Sequence, residues 1–86
     1  MEPAEIEALI SAGFDDPVVR VMSDDNTHFQ AIVVAAEFDG ARPLARHQLV
    51  YKTLGSRVGN EIHALSIRAF TPDEWAAQSA EPGAHG

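Results

Sequence analysis

No cysteine occurs in this chain, which excludes a disulfide framework, a thiolate nucleophile and a thiolate metal ligand of its own. Any metal or cluster would have to be held by His, Asp or Glu, or by groups that a partner brings. Long hydrophobic runs are missing too: the longest, Ala31 to Ala36, falls far below the roughly 20 residues that span a bilayer. The first residues, MEPAEIEALI, are acidic where a signal peptide would be basic. A cytoplasmic protein without a membrane partner is the expectation.

The signatures of catalysis are absent as well. Ser11, Ser23, Ser56, Ser66 and Ser79 lack a nucleophile elbow, no HExxH occurs, and no pair of carboxylates falls on an obviously rigid face. GSRVG at 55–59 has neither the lysine of a Walker loop nor the glycine spacing of a dinucleotide site. These absences argue against an enzyme.

What is present is an ordinary globular balance, 45% hydrophobic and 22% charged, in 86 residues. That length fits one domain, and a chain so short buries only about 60% of the surface its unfolded form exposes. A deep active-site cavity has little material to form from. The net charge is −7, distributed unevenly: −8 over residues 1–39, +4 over 40–68 and −3 over 69–86. An acidic protein is repelled by nucleic acid at long range, although a local basic face can still take a phosphate or an acidic partner. A solvated helix face explains the basic stretch somewhat better than a binding patch does.

Local signals set out the order of elements. Glu2-Pro-Ala-Glu5 predicts a helix start, with Ile6, Leu9 and Ile10 on one face and Gly13 as its stop. After Asp16-Pro17, Val18 to Met22 is a short β-branched run that suits a strand. Ser23 to Thr27 is a polar loop, and His28 to Ala36 reads as a second strand, antiparallel to the first and apolar on both alternating sets from Ala31 onward. Such a strand is expected to be covered on much of both faces. Pro43 opens the helix PLARHQLVYKTL, closed by Gly55. On its wheel Leu44, His47, Val50, Tyr51 and Leu54 share the core face, while Arg42 and Arg46 face solvent and Lys52 the side. A connection over Ser56–Asn60, with room for a helical turn, leads to a third strand, Ile62 to Phe70, parallel to the second. Thr71-Pro-Asp-Glu74 predicts a capping box, with Phe70 and Trp75 as a hydrophobic staple. The domain covers 1–78, and SAEPGAHG from Ser79 is expected to be a disordered tail carrying His85.

Histidines carry the chemistry on offer. His63 heads the alternating set His63, Leu65, Ile67, and by pattern alone a histidine at a strand end is more often a hydrogen-bonded structural residue than a ligand. His28 opens the second strand, so parallel neighbours would bring both to one end of the sheet. Two imidazoles without a thiolate make a poor structural zinc site. They suit a cluster whose other ligands come from another molecule, since two histidines can replace two cysteines on one iron of a Rieske centre. Asp24-Asp25 could orient His28, though loop acids before a strand are usually solvated. His47, among apolar neighbours on a helix, reads as a packing residue.

Taken together, Phe38-Asp-Gly40, Arg46-His-Gln-Leu-Val-Tyr51, His63-Ala-Leu-Ser-Ile67 and Thr71-Pro-Asp-Glu-Trp75 resemble the BolA family over roughly residues 4 to 77. HFQAIVVAAEFDG and IHALSIRAFTPDEW are especially similar to its short, IbaG-like bacterial branch. The resemblance implies an α+β fold, αββααβα with a mixed three-stranded sheet, related to the class II KH domain. It also implies a heterodimer with a monothiol glutaredoxin that shares a bridging [2Fe-2S] cluster in iron regulation or cluster trafficking. The glutaredoxin cysteine and a glutathione thiol supply sulfur, and this chain supplies the histidine of its HAL motif, His63. The family's second ligand is a cysteine or histidine of the loop between the first two strands. Here His28 is the candidate, beside an aspartate of Asp24-Asp25 or a partner group.

Some family members are described as transcriptional regulators. DNA is thus the alternative partner, with Arg42, Arg46, Lys52 and Arg57 as contacts, although Gly55 to Gly59 has one residue more than a GXXG loop. A histidine-only metal binder acting alone, and a homodimer of the free chain, also stay open.

Overall fold

The computed structural model describes residues 1–79. The tail is expected from Ser79, but Ser79 is the last residue of the final helix; the rest of that tail, His85 included, lies outside the described residues. Within them the order is helix α1 (Pro3–Ser11), strands β1 (Val18–Met22) and β2 (His28–Val34), a 3-10 turn (Ala36–Phe38), helix α2 (Pro43–Leu54), a second 3-10 turn (Gly55–Arg57), strand β3 (Ala64–Phe70) and helix α3 (Pro72–Ser79). This is an α+β arrangement of three helices and a three-stranded mixed sheet. The sheet order is β1-β2-β3, with β1 antiparallel and β3 parallel to β2. The helix expected between Ser56 and Asn60 is a single 3-10 turn that begins one residue earlier.

Helices α1 and α3 start at capping boxes, whereas α2 starts at Pro43, which has no N–H, without a side-chain cap. At α1 the Glu2 N–H donates to Glu5 Oε1 at 2.7 Å. At α3 the Thr71 N–H donates to Glu74 Oε1 at 2.9 Å and the Glu74 N–H to Thr71 Oγ1 at 3.1 Å, the reciprocal pair that the TPDE pattern predicts. Phe70 and Trp75 close the staple, ring centroids 5.2 Å apart. Helix α2 ends at Gly55, whose φ of 59° an L side chain rarely adopts.

Helices α1 and α2 cover one face of the sheet. Ile6 and Ile10 from α1, Val50 and Leu54 from α2, and Val21, Phe29, Ala31, Val33 and Ile67 from the strands form the core, joined by Phe38 and Ile62. The opposite face departs from expectation. Val18, Arg20 and Met22 of β1 stand across from Val34, Ile32 and Gln30 of β2, and these from Phe70, Arg68 and Ser66 of β3. Arg20, Met22, Gln30, Ser66 and Arg68 of that set are exposed. The central strand is therefore covered along one face, and the other is open over most of its length.

Helix α2 is rotated relative to its expected wheel. Val50 and Leu54 are buried, but Leu44 is 70% and Tyr51 39% exposed. Arg46 does not face solvent: its side chain is only 14% exposed. The guanidinium donates to Ala41 O at 2.8 Å, to Ala69 O at 3.2 Å and to both oxygens of Glu74, at 2.7 and 3.2 Å. It ties α2 to the end of β3 and to the first turn of α3. The Arg46 partnership lowers the Glu74 carboxyl from its ordinary 4.5 to about 2, with the Thr71 N–H as the next contribution.

Candidate functional site

Parallel pairing places His28 opposite Ala64, and the Ala64 N–H donates to Thr27 O at 3.3 Å. His28 at the head of β2 and His63 just before β3 therefore stand on adjacent chain segments at one end of the sheet. Both are exposed. The third strand begins two residues later than expected. Ile62 is fully buried and forms a separate bridge with Val58, and His63 occupies the bend between that bridge and β3. The alternation of β3 consequently does not reach His63, which is a surface side chain and not the first core-facing one.

The loop before His28 is built around one carboxylate. Asp25 Oδ1 accepts the N–H groups of Thr27 and His28, each at 2.9 Å. Ser23 Oγ accepts the Asn26 N–H at 2.9 Å and donates to His28 O at 2.7 Å, closing the loop on itself. Asn26 takes φ 56°, a left-handed conformation that asparagine tolerates, and its side chain donates to Glu2 Oε2 of the α1 capping box at 3.0 Å.

With Oδ1 so occupied, Asp25 Oδ2 lies 3.0 Å from His28 Nδ1. The His28 backbone N–H first, then its imidazole and the Thr27 N–H, hold the Asp25 carboxyl well below the usual carboxylate range. Of the pair Asp24-Asp25, only Asp25 orients the imidazole. Ser23 is the residue that sequence reasoning passed over, and a serine in a polar loop offers no signal to separate it from its neighbours.

Beside His28 a groove of about 370 Å³ runs onto the open sheet face, bounded by Met22, Asp24, Asp25, Gln30, Ala64 and Ser66. Two exposed imidazoles stand at one sheet end, the chain has no thiolate, and no cluster of three potential ligands occurs among the described residues.

The basic residues are not gathered in one place. Arg42 is exposed at the start of α2 and Lys52 is exposed in its last turn. Arg57 is partly buried and donates to Leu54 O at 3.4 Å. Arg46 is engaged in the clamp described above. His47 is half-buried on α2, away from the sheet end that carries the other two imidazoles. No helix of the described residues is long and apolar enough to cross a membrane.

Comparison with known proteins places this geometry. The chain is 35% identical to the DNA-binding transcriptional regulator BolA of Vibrio cholerae, over 88% of this chain and 80% of the relative. It is 42% identical to the acid stress protein IbaG of Escherichia coli, over 88% of this chain and 90% of that protein. A solved structure of a BolA protein homologue from Coxiella burnetii superposes with a TM-score of 0.75 at 40% identity, covering 88% of this chain and 97% of that one. Residues 12–74 match the family described as BolA-like protein, and with that match over most of its length the chain belongs to the BolA-like protein family.

Proposed function

We propose that this protein is a non-enzymatic partner of a monothiol glutaredoxin and shares with it a bridging [2Fe-2S] cluster in iron–sulfur trafficking or iron regulation. His63 and His28 are the ligands from this chain, while a glutaredoxin cysteine and a glutathione thiol supply sulfur. The observation that carries the reading is the β2–β3 register, His28 opposite Ala64, which sets two exposed imidazoles at one end of the sheet. When bound, the cluster supplies one-electron chemistry and a transferable iron–sulfur unit; the chain's part is to present nitrogen ligands on a rigid edge. Mixing the protein with a monothiol glutaredoxin, iron, sulfide and glutathione should yield a heterodimer whose absorbance and EPR differ from those of the glutaredoxin's own cluster. His63→Ala should change that spectrum, and an unchanged spectrum refutes the ligand assignment.

A second reading, DNA binding, has its own support in the name of the Vibrio relative and in the exposed Arg42 and Lys52, neither of which makes an ion pair among the described residues. It requires binding that weakens steeply with salt, with roughly one unit of log–log slope lost per phosphate-contacting residue removed. No mobility shift at low salt would eliminate it.

A further inference from the structure

We infer that Asp25 fixes the tautomer of His28, keeping the proton on Nδ1 and leaving the Nε2 lone pair as the atom that His28 offers to iron; the last step rests on the cluster reading above. The carboxylate is held rigidly by the loop it organises. Two backbone N–H groups are bound to Oδ1, so Oδ2 is the oxygen left for the ring, 3.0 Å from Nδ1. An ionised carboxylate only accepts hydrogen bonds, so this contact requires the hydrogen on Nδ1, and in neutral imidazole that leaves Nε2 bare.

No described residue bonds Nε2, and the side chain is 73% exposed beside the groove. A metal-bound histidine commonly donates its other ring N–H to a carboxylate, which fixes the ring and raises its basicity. Asp25 stands in that relation to His28 before any iron arrives. No ring partner is found for His63 among the described residues, so the chain prearranges one imidazole and leaves the other free. Asp25 is accordingly a positioning residue, acting through His28.

The test begins on the full chain, free of metal and labelled with ¹⁵N at histidine, at pH 8. Two-bond ¹H–¹⁵N spectra should show His28 as the Nδ1–H tautomer and His63 as a mixture. In Asp25→Asn the amide oxygen can still accept the loop N–H groups, but its NH₂ donates to Nδ1 and moves the ring proton to Nε2. The Nδ1–H population should fall by roughly tenfold or more, the factor a charge-assisted hydrogen bond commands, with backbone amide shifts outside residues 23–28 unchanged. A native His28 protonated on Nε2, or a tautomer that D25N does not alter, overturns the inference.

The second arm loads the native and D25N chains with glutaredoxin, glutathione and cluster, and reads nitrogen couplings by pulsed EPR. Loss of the His28 coupling in D25N, as in His28→Ala, supports the positioning role, and its retention overturns that role. Absence of a His28 coupling from the native complex, with the free-chain tautomer as expected, overturns the His28 ligand assignment instead.

Discussion

Gly13 sets the distance between α1 and α2, and replacing it tests that packing directly. A methyl group at Gly13 would overlap Thr53 Cγ2 and press on Thr53 Cβ at 3.2 Å. Backbone strain is not involved, because only Gly40, Gly55 and Gly59 among the described glycines take positive φ. Thr53 has little freedom to yield: it is β-branched, and its hydroxyl donates to Val50 O at 2.6 Å. Overpacking of this kind costs about 1–3 kcal/mol, a large share of the roughly 4–13 kcal/mol available to a chain of this size.

Thr53→Ser removes Cγ2 and keeps the hydroxyl. In that background only the 3.2 Å contact with Cβ remains, so Gly13→Ala should lose most of its cost, offset further by about 0.4–1 kcal/mol through the unfolded chain's lost entropy. Urea unfolding followed by far-UV circular dichroism and by the single tryptophan, Trp75 against Phe70, measures all four corners of the cycle. The displacement should also be felt at the candidate site, since Glu2 of the α1 cap holds Asn26 in the loop before His28. Gly13→Ala alone should therefore shift the Ser23–His28 amides. An equal cost in both backgrounds refutes the steric argument.

Arg46→Met keeps much of the buried stem and removes the guanidinium. Glu74 has a depressed folded-state pKa, so its contribution to stability is fully present above its unfolded value of 4.5 and is lost as pH falls through about 2. Acid unfolding of R46M should show less pH dependence in that window, and an identical slope would mean that the clamp is not the cause. At the free edge of β1, the Val21 N–H donates to Glu7 Oε2 at 2.9 Å. In Glu7→Ala, hydrogen exchange at Val21 should accelerate while the paired amides of β2 hold; equal protection in both proteins would show that Glu7 does not guard the edge.

Much of this fold is legible because its signals are local. Thr71 and Glu74 are three residues apart and cap each other; Pro43 and Gly55 bound α2; Val18–Met22 and the parallel placement of β3 follow from β-branched runs and the length of the crossover. The face that α2 buries is not local. Arg46 is drawn inward by Ala41, Ala69 and Glu74, the last two 23 and 28 residues away, and a wheel that compares side-chain polarity ranks Leu44 above Arg46 for the core. HFQAIVV likewise places Ile32 and Val34 on the same side as His28 and Gln30, so from Ala31 onward it reads as covered on both faces although that side of the sheet is largely open. At the candidate site the histidines were visible as residue types, and their shared end of the sheet followed from topology. Which of two adjacent aspartates holds His28 depends on the left-handed turn at Asn26, and composition does not specify that turn.

The separation between core and candidate site gives the ligand substitutions their meaning. His28 and His63 are both exposed, and neither belongs to the buried cluster that joins α1, α2 and the sheet. Among the described residues no buried side-chain polar atom lacks a partner, so none of those atoms is left waiting for a metal. This differs from a zinc finger, in which binding free energy is folding free energy and loss of a ligand unfolds the chain. Replacing His63 by alanine removes no core contact and leaves no buried group unpaired, which keeps the expected change in stability within about 0.5 kcal/mol. Equal urea midpoints for native protein and His63→Ala, together with an altered cluster spectrum, would then assign the spectral change to ligation and not to a damaged fold.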